Sequence, residues 1–377
     1  MKKVVLVPDS FKGTMSSAQV CDAMAEGIHA VFPAAEVISL PVADGGEGSA
    51  EAFLTALGGA RVSLRVTGPE GAALESFYAL LPDGTAVVEM AAAAGLPQVL
   101  GQKDPERTTT FGVGELLRHA AHHGAKRAVM CLGGSATNDG GCGAAAACGV
   151  RFLDRAGNPF VPVGGTLGDI SAVDIASMDP AVRDLPIVTM CDIDNPLCGA
   201  AGAAAVFGPQ KGADAAMVRR LDGGLAHLAS IVRRDLGTEV ETLPGAGAAG
   251  GMGAGMAAFF RSTLRPGIET VLDTVRFAEV ASGADLILTG EGKLDGQSLR
   301  GKVISGVARR AGGVPVVAVV GDVGEGAEAV YDLGVTAVFS INRVALPYEL
   351  SRLRARRDLC STVEDMMRFL KIGGFPR

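Results

Sequence analysis

Six glycine-bearing loops of this chain carry the side chains that could do chemistry. The densest, "LGGSATNDGGCGAAAACG" (132–149), sets Gly133, Gly134, Ser135, Thr137 and Asn138 between a short apolar run and an alanine-rich one. Glycines in such a place let backbone N–H groups approach an anion, and a following helix turns its positive end to the same spot. The loop therefore reads as a phosphate holder. No Gly-Lys-Ser/Thr follows, so it is not a Walker A loop, and "GCGAAA" (141–146) lacks the acidic residue that a dinucleotide fingerprint places about twenty positions on. The plainer alternative is a tight turn in which Ser135, Thr137 or Asn138 caps a helix.

The other five loops repeat the pattern with different polar groups. "PVADGGEGSAEAF" (41–53) offers Asp44 and Glu47, as N-cap and capping-box partner or as carboxylates near a metal or a hydroxyl. "VPDSFKGTMS" (7–16) offers Asp9 and Lys12, "TMCDIDNPLCG" (189–199) offers Asp192, Asp194 and Asn195, and "FGPQKGA" (207–213) offers Lys211 in a rigid turn. "LTGEGKLDGQSLRGK" (288–302) adds Glu291, Lys293, Asp295 and Lys302. Lysines and backbone amides neutralise phosphate oxygens, carboxylates hold Mg²⁺, and a further carboxylate accepts the proton of an attacking hydroxyl. The set suits phosphoryl transfer to a small anion.

Histidine and cysteine compete poorly for the chemistry. His119, His122 and His123 fall in "ELLRHAAHHGAKR", where they favour the carboxyl end of a helix, and His29 and His227 lie in separate helices. The seven cysteines include no Cys-x-x-Cys and no histidine at zinc-like spacing, which predicts buried thiols in a reducing compartment. Cys131, Cys142, Cys191 and Cys198 lie near loops, and a thiol at a helix start can have a lowered pKa, but no histidine stands nearby in sequence as a base.

The elements that must position these loops follow from periodicity. Apolar, β-branched runs at 3–7, 36–40, 127–132, 186–190, 285–289, 314–320 and 336–341 read as strands buried on both faces, most followed by a glycine loop and a helix. In "SSAQVCDAMAEGIHAVF" (16–32), Ser16 and Gln19 make a capping box and Val20, Met24 and Ile28 share one face. Repeated βα units predict an α/β fold with parallel sheet. Residues 61–90 instead alternate and contain "PEG" and "PDG", which predicts consecutive antiparallel strands. The glycine run at 245–255 is either close helix packing or a further phosphate-approach loop. The simplest organisation joins 1–60 and 281–377 in one discontinuous domain around an inserted α/β domain, 61–280; two consecutive domains are the alternative.

Composition closes off other classes. A chain of 377 residues suggests two domains, and 48% apolar content marks a globular protein. A net charge of −7, no tryptophan and no basic run interleaved with aromatics argue against nucleic acid. "MKKVVLVPDSFKG" reads as a first strand, not a signal peptide, and "TLPGAGAAGGMGAGMAAFF" (242–260) is too rich in Gly to span a membrane. A cytoplasmic protein is expected.

"PDSFKG" (8–13), "ADGGEG" (43–48), "GGSATNDGG" (133–141), "CDIDNPLCG" (191–199), "FGPQKGA" (207–213), "GAAGGMG" (247–253) and "TGEGKLDGQS" (289–298) together resemble the signature blocks of the bacterial type 1 glycerate kinases, in order over essentially the whole chain. The departures, Thr14 where the family often has Ser and Leu132 where it has Val or Ile, remove no chemical group. The resemblance implies a two-domain fold with a flavodoxin-like doubly wound parallel sheet. It also implies transfer of the γ-phosphoryl group of ATP to D-glycerate, at the 2-hydroxyl, as part of glyoxylate, glucarate or galactarate breakdown. The roles of individual residues are our inference. Gly133, Gly134, Ser135, Thr137 and Asn138 would cradle the ATP phosphates, with Lys293 on the γ-phosphate. Asp192 would be the base and Lys12 its catalytic companion. Asp44, Gly45, Gly46 and Lys211 would meet the glycerate, and Glu47, Glu291 and Asp295 the Mg²⁺. Rival readings are a kinase for another small hydroxy acid, and a nucleotide- or sugar-acid-binding sensor without turnover. Oligomeric state stays open, a homo-oligomer included.

Overall fold

The structure, a computed structural model, describes residues 1–42, 48–296 and 303–373. The chain forms two compact units: Met1–Asp44 with Thr55–Leu57 and Gly267–Arg377, and Gly45–Leu54 with Gly58–Pro266.

The unit built from the two chain ends is centred on five parallel strands, Lys3–Pro8, Glu36–Ser39, Leu286–Gly290, Val316–Val320 and Val335–Ser340. All five coincide with the apolar runs of the sequence. Numbered along the chain, their order in the sheet is 2-1-3-4-5, every neighbouring pair parallel. That is the flavodoxin-like winding, and its order reverses between the first and third strands, where such sheets bind ligands beyond their carboxyl ends. Val4, Leu6, Leu288 and Val319 are buried in this core with one face of the helix Ser17–His29. That helix begins with the expected capping box, Ser16 Oγ accepting from Gln19 N and Gln19 Oε1 from Ser16 N. It lies so close to the helix Ala355–Gly373 that a Cβ on Gly27 would sit 2.7 Å from the Cys360 carbonyl oxygen.

The second unit holds a six-stranded mixed sheet whose spatial order follows the chain: Ala60–Thr67, Ala73–Leu80, Thr85–Glu89, Arg127–Cys131, Ile187–Met190 and Thr263–Arg265. The first two pairings are antiparallel, as the alternation at 61–90 predicts, and the other three parallel. A small antiparallel sheet, Arg151–Leu153, Pro159–Phe160 and Ala172–Asp174, was not legible in the sequence. The core packs Tyr78, Met130 and Leu117, with Phe152 meeting Phe259 edge-on at 5.5 Å. The glycine run resolves as close packing. Ala249, Gly250 and Gly251 take left-handed backbone, and a Cβ on Gly250 would fall 1.9 Å from the Thr137 carbonyl oxygen.

Among the described residues no helix is long and apolar enough to cross a membrane. The cysteines are free thiols.

Candidate functional site

In the unit of the chain ends, two loops leave the sheet at its reversal point. The first follows Lys3–Pro8. Asp9 N–H donates to the Gly290 carbonyl at 2.8 Å, which ties this loop to the neighbouring strand end. Phe11 and Met15 are buried beneath it and close a turn through Phe11 N–H to Met15 O (2.9 Å), so Lys12 is carried outward, exposed, at the tip. The second loop follows Leu286–Gly290. Its backbone is pinned by Gly321 N–H to Glu291 O and Asp322 N–H to Gly292 O, both 3.1 Å, before Lys293–Leu294 pairs with Asp322–Val323. Glu291 is buried, Asp295 is about a quarter exposed, and Lys293 reaches to 3.7 Å from the Asp295 carboxylate. Lys12, Glu291, Lys293 and Asp295 thus stand at the carboxyl ends of adjacent strands. Lys302 lies outside the described residues.

In the second unit, the loop after Arg127–Cys131 has two faces. Gly133 and Gly134 reach solvent, while Ser135 to Gly141 are buried. The helix that follows, Cys142–Ala147, is capped by none of the three residues the sequence suggested. Asp139 does that work: its carboxylate accepts from Thr110 N and Thr110 Oγ1 at 2.8 Å, Gly141 N at 3.1 Å and Gly143 N at 3.2 Å. Burial nonetheless pushes this carboxyl above its ordinary value, because the bonds only partly replace water. Its charge faces Lys211.

Lys211 sits on the short turn Pro209–Lys211, the rigid turn that its sequence implies. Its side chain is 2% exposed, and its ammonium donates to Ser135 Oγ at 2.8 Å and to Thr137 O at 2.7 Å. Desolvation draws its pKa down to about 7, against the opposing pull of Asp139. The sequence assigned this lysine to a substrate carboxylate; the fold turns its head inward, onto the loop. Thr137 and Asn138 are likewise wholly buried, beneath the loop rather than on it. Yet Thr137 Oγ1 and both amide atoms of Asn138 have no hydrogen-bond partner among the described residues. Buried polar atoms left unpaired cost about 1–3 kcal/mol each, so such a group calls for a partner.

Two further features were missed or misplaced from sequence. Glu89, at the end of Thr85–Glu89, is buried and accepts from Gly48 N (3.2 Å) and Ala50 N (2.5 Å), so it caps the helix Ser49–Leu57 from 39 residues away. Asp44, Gly45, Gly46 and Glu47, expected on that loop, lie outside the described residues. Asp192 lies exposed two residues past the strand Ile187–Met190, while Cys191 N–H bonds the Arg265 carbonyl at 2.9 Å.

The thiols and imidazoles are accounted for. Burial, and next Asp139, push the Cys142 thiol well above its ordinary value, so its place at a helix start does not activate it. His119 bonds the Tyr78 hydroxyl at 3.1 Å, His122 pairs with Asp179 at 2.8 Å, and His227 contacts the Ile170 carbonyl at 2.7 Å.

Comparison with known proteins decides among kinds of small-anion enzyme. Residues 4–371 match the model of the glycerate kinase family. This chain belongs to the glycerate kinase family. It is 44% identical over 374 residues to a glycerate kinase of Bacillus cereus, covering 98% of both chains. It is 43% identical over 343 residues to the glycerate 2-kinase of Escherichia coli, covering 90% of both. A crystal structure of a Salmonella typhimurium LT2 protein named as a glycerate kinase 2 superposes with a TM-score of 0.89 at 41% identity, over 99% of each chain. Family membership makes the chain a phosphotransferase, and all six chemistry-bearing loops fall inside the matched span.

Proposed function

We propose that this chain transfers the γ-phosphoryl group of ATP to the 2-hydroxyl of D-glycerate, giving 2-phosphoglycerate and ADP. The observation that carries the reading is the match to the glycerate kinase family over residues 4–371, with every candidate loop inside it. The likeness to a glycerate 2-kinase over nine-tenths of the chain supports the 2-position.

In this reaction the Asp192 carboxylate accepts the proton of the glycerate hydroxyl. The freed oxygen forms its bond to the γ-phosphorus as the bond to the ADP oxygen breaks. Lys12 and Lys293 supply positive charge for the glycerate carboxylate and the γ-phosphoryl oxygens, where a flexible ammonium acts as a point charge. The backbone of Gly133 and Gly134, with the Ser135 hydroxyl, faces the nucleotide phosphates. Asp44, Gly45 and Gly46 stay with the glycerate, and Glu47 with the metal, as inferred from the sequence; all four lie outside the described residues.

Among the described residues no three His, Cys, Asp or Glu side chains gather into a metal cage. A hard cation held by one or two carboxylates together with substrate phosphates fits this donor set, and Glu291 and Asp295 are the residues that would hold Mg²⁺. When bound, it would neutralise phosphate charge. The discontinuous layout, 1–60 with 281–377 around 61–280, and a cytoplasmic location belong to the same reading.

Phosphorus NMR of the product formed from D-glycerate and ATP tests the assignment. A 2-phosphoglycerate resonance is expected; 3-phosphoglycerate would move the attack to the other hydroxyl, and ADP without a phosphorylated acid would end the reading. Activity should vanish in excess EDTA and return with Mg²⁺ or Mn²⁺, while full turnover in EDTA would remove the metal from the scheme.

A further inference from the structure

We propose that Lys211 is a positioning residue: its buried ammonium holds the Ser135 hydroxyl oxygen, and so aims that hydroxyl's proton at a phosphate oxygen of the bound nucleotide. The inference deepens the phosphotransferase reading and rests on it.

The argument is one of donor and acceptor inventory. In its protonated form the Lys211 head has three donors and no acceptor, so the 2.8 Å contact then makes Ser135 Oγ the acceptor. The serine proton must then point elsewhere, and among the described residues it finds no acceptor. The second bond, to the Thr137 carbonyl at 2.7 Å, holds the same segment two residues on and fixes its curvature. Lys211 itself cannot swing away. Its turn starts at Pro209 and ends at Gly212, where a Cβ would meet the Lys103 carbonyl oxygen at 2.3 Å, and Lys103 Nζ also bonds the Gln210 carbonyl at 3.3 Å.

A second observation points to a ligand at this segment. Asn138, fully buried, has an amide with both donor and acceptor unused, and Thr137 Oγ1 is unused as well. The loop offers the solvent-reaching backbone of Gly133 and Gly134 beside the Ser135 hydroxyl proton, which has no acceptor among the described residues. Anionic oxygen is the chemistry that satisfies both, and a nucleotide phosphate supplies it. Hydrogen bonds to a charged partner are roughly twice as strong as neutral ones, so a proton aimed in advance is worth more than one that must reorient. Asp139, bonded to Thr110, Gly141 and Gly143, supplies the counter-charge that lets the ammonium stay buried.

The test uses the full chain. Ser135→Ala and Lys211→Met should each raise KM for ATP by about 10- to 100-fold, the range expected for a charge-assisted hydrogen bond, and leave KM for glycerate within about two-fold. The double variant should be no worse than the poorer single one, because both remove the same interaction. Ser135→Thr, which keeps a hydroxyl, should recover most of the lost affinity. An unchanged KM for ATP in Ser135→Ala, or effects of the two changes that multiply, would overturn the proposal. Should Lys211→Met fail to fold, the serine pair decides it. Calorimetric titration with ATP alone separates the two readings. Wild type that binds ATP but phosphorylates no glycerate refutes the substrate assignment, while a weaker Ser135→Ala still upholds the positioning role. Wild type that does not bind ATP refutes both.

Discussion

The loop after Leu286–Gly290 and the loop after Arg127–Cys131 leave parallel strands of two different sheets, and they treat charge in opposite ways. The first, with its neighbour at Asp9–Met15, holds its lysines outward: Lys12 is exposed and Lys293 is more than half exposed. The second draws Lys211 and Asp139 inside, and leaves Gly133 and Gly134 as its outer surface. An exposed lysine gives up little when it releases water to meet a ligand, and its removal leaves packing intact. A buried one is part of the framework, and its removal strands the opposite charge. Chemistry at strand ends is common to both; the difference lies in whether charge meets the ligand or holds what meets it.

Asp192 gives the sharpest break of that comparison, since it lies in the second unit yet is exposed. Asp192→Asn keeps size and most hydrogen bonds but removes the basic carboxylate. As general base its loss should lower kcat by roughly 10²–10⁴-fold, with the melting temperature unchanged. A kcat near wild type at saturating glycerate and Mg²⁺ would remove Asp192 from the mechanism. Partial rescue by excess Mg²⁺ would recast it as a metal ligand.

What the sequence could tell follows the same division. The parallel strands and the capping box at Ser16 are local signals, written in runs of five residues or in a spacing of three, and they were legible. The placing of Lys12, Lys293 and Asp192 on exposed loops beyond strand ends was legible as well, because each follows an apolar run within a few residues. Lys211 was not, because its partner Ser135 lies 76 residues away and no periodicity links a turn to a loop at that distance. Glu89 closes a path about half as long: it is the last residue of an apolar strand, and the pairing of that strand brings it to Gly48 and Ala50. Asp139 did carry a signal. It is the one charged residue in "GGSATNDGG", three positions before a helix, near where a carboxylate accepting backbone N–H groups is the ordinary cap.

Lys12→Met should show the outward pattern at smaller size. The turn closes through Phe11 and Met15, not through the lysine head, so the fold should survive. Loss of one point charge should raise KM for glycerate or ATP by about ten-fold, with kcat reduced less and the melting temperature within about 2 °C of wild type. A large fall in melting temperature with unchanged kinetics would place Lys12 with Lys211, among the residues that hold the loop.

The smallest expected effect is a titration of stability, and it tests the inward pattern directly. Lys211 holds its proton in the unfolded chain up to about 10.5 but in the folded chain only up to about 7. Between those values the unfolded state binds the extra proton, so unfolding takes one up and stability rises with pH across the window. Below pH 7 both states are charged and the full desolvation penalty is present; through 7 the folded chain sheds its proton and the penalty is relieved. Lys211→Met has no such group. The melting temperature of wild type minus that of Lys211→Met should therefore climb between pH 7 and 10. A flat difference for Lys211→Met would mean that its ammonium keeps its proton throughout, held by Asp139 more firmly than burial expels it.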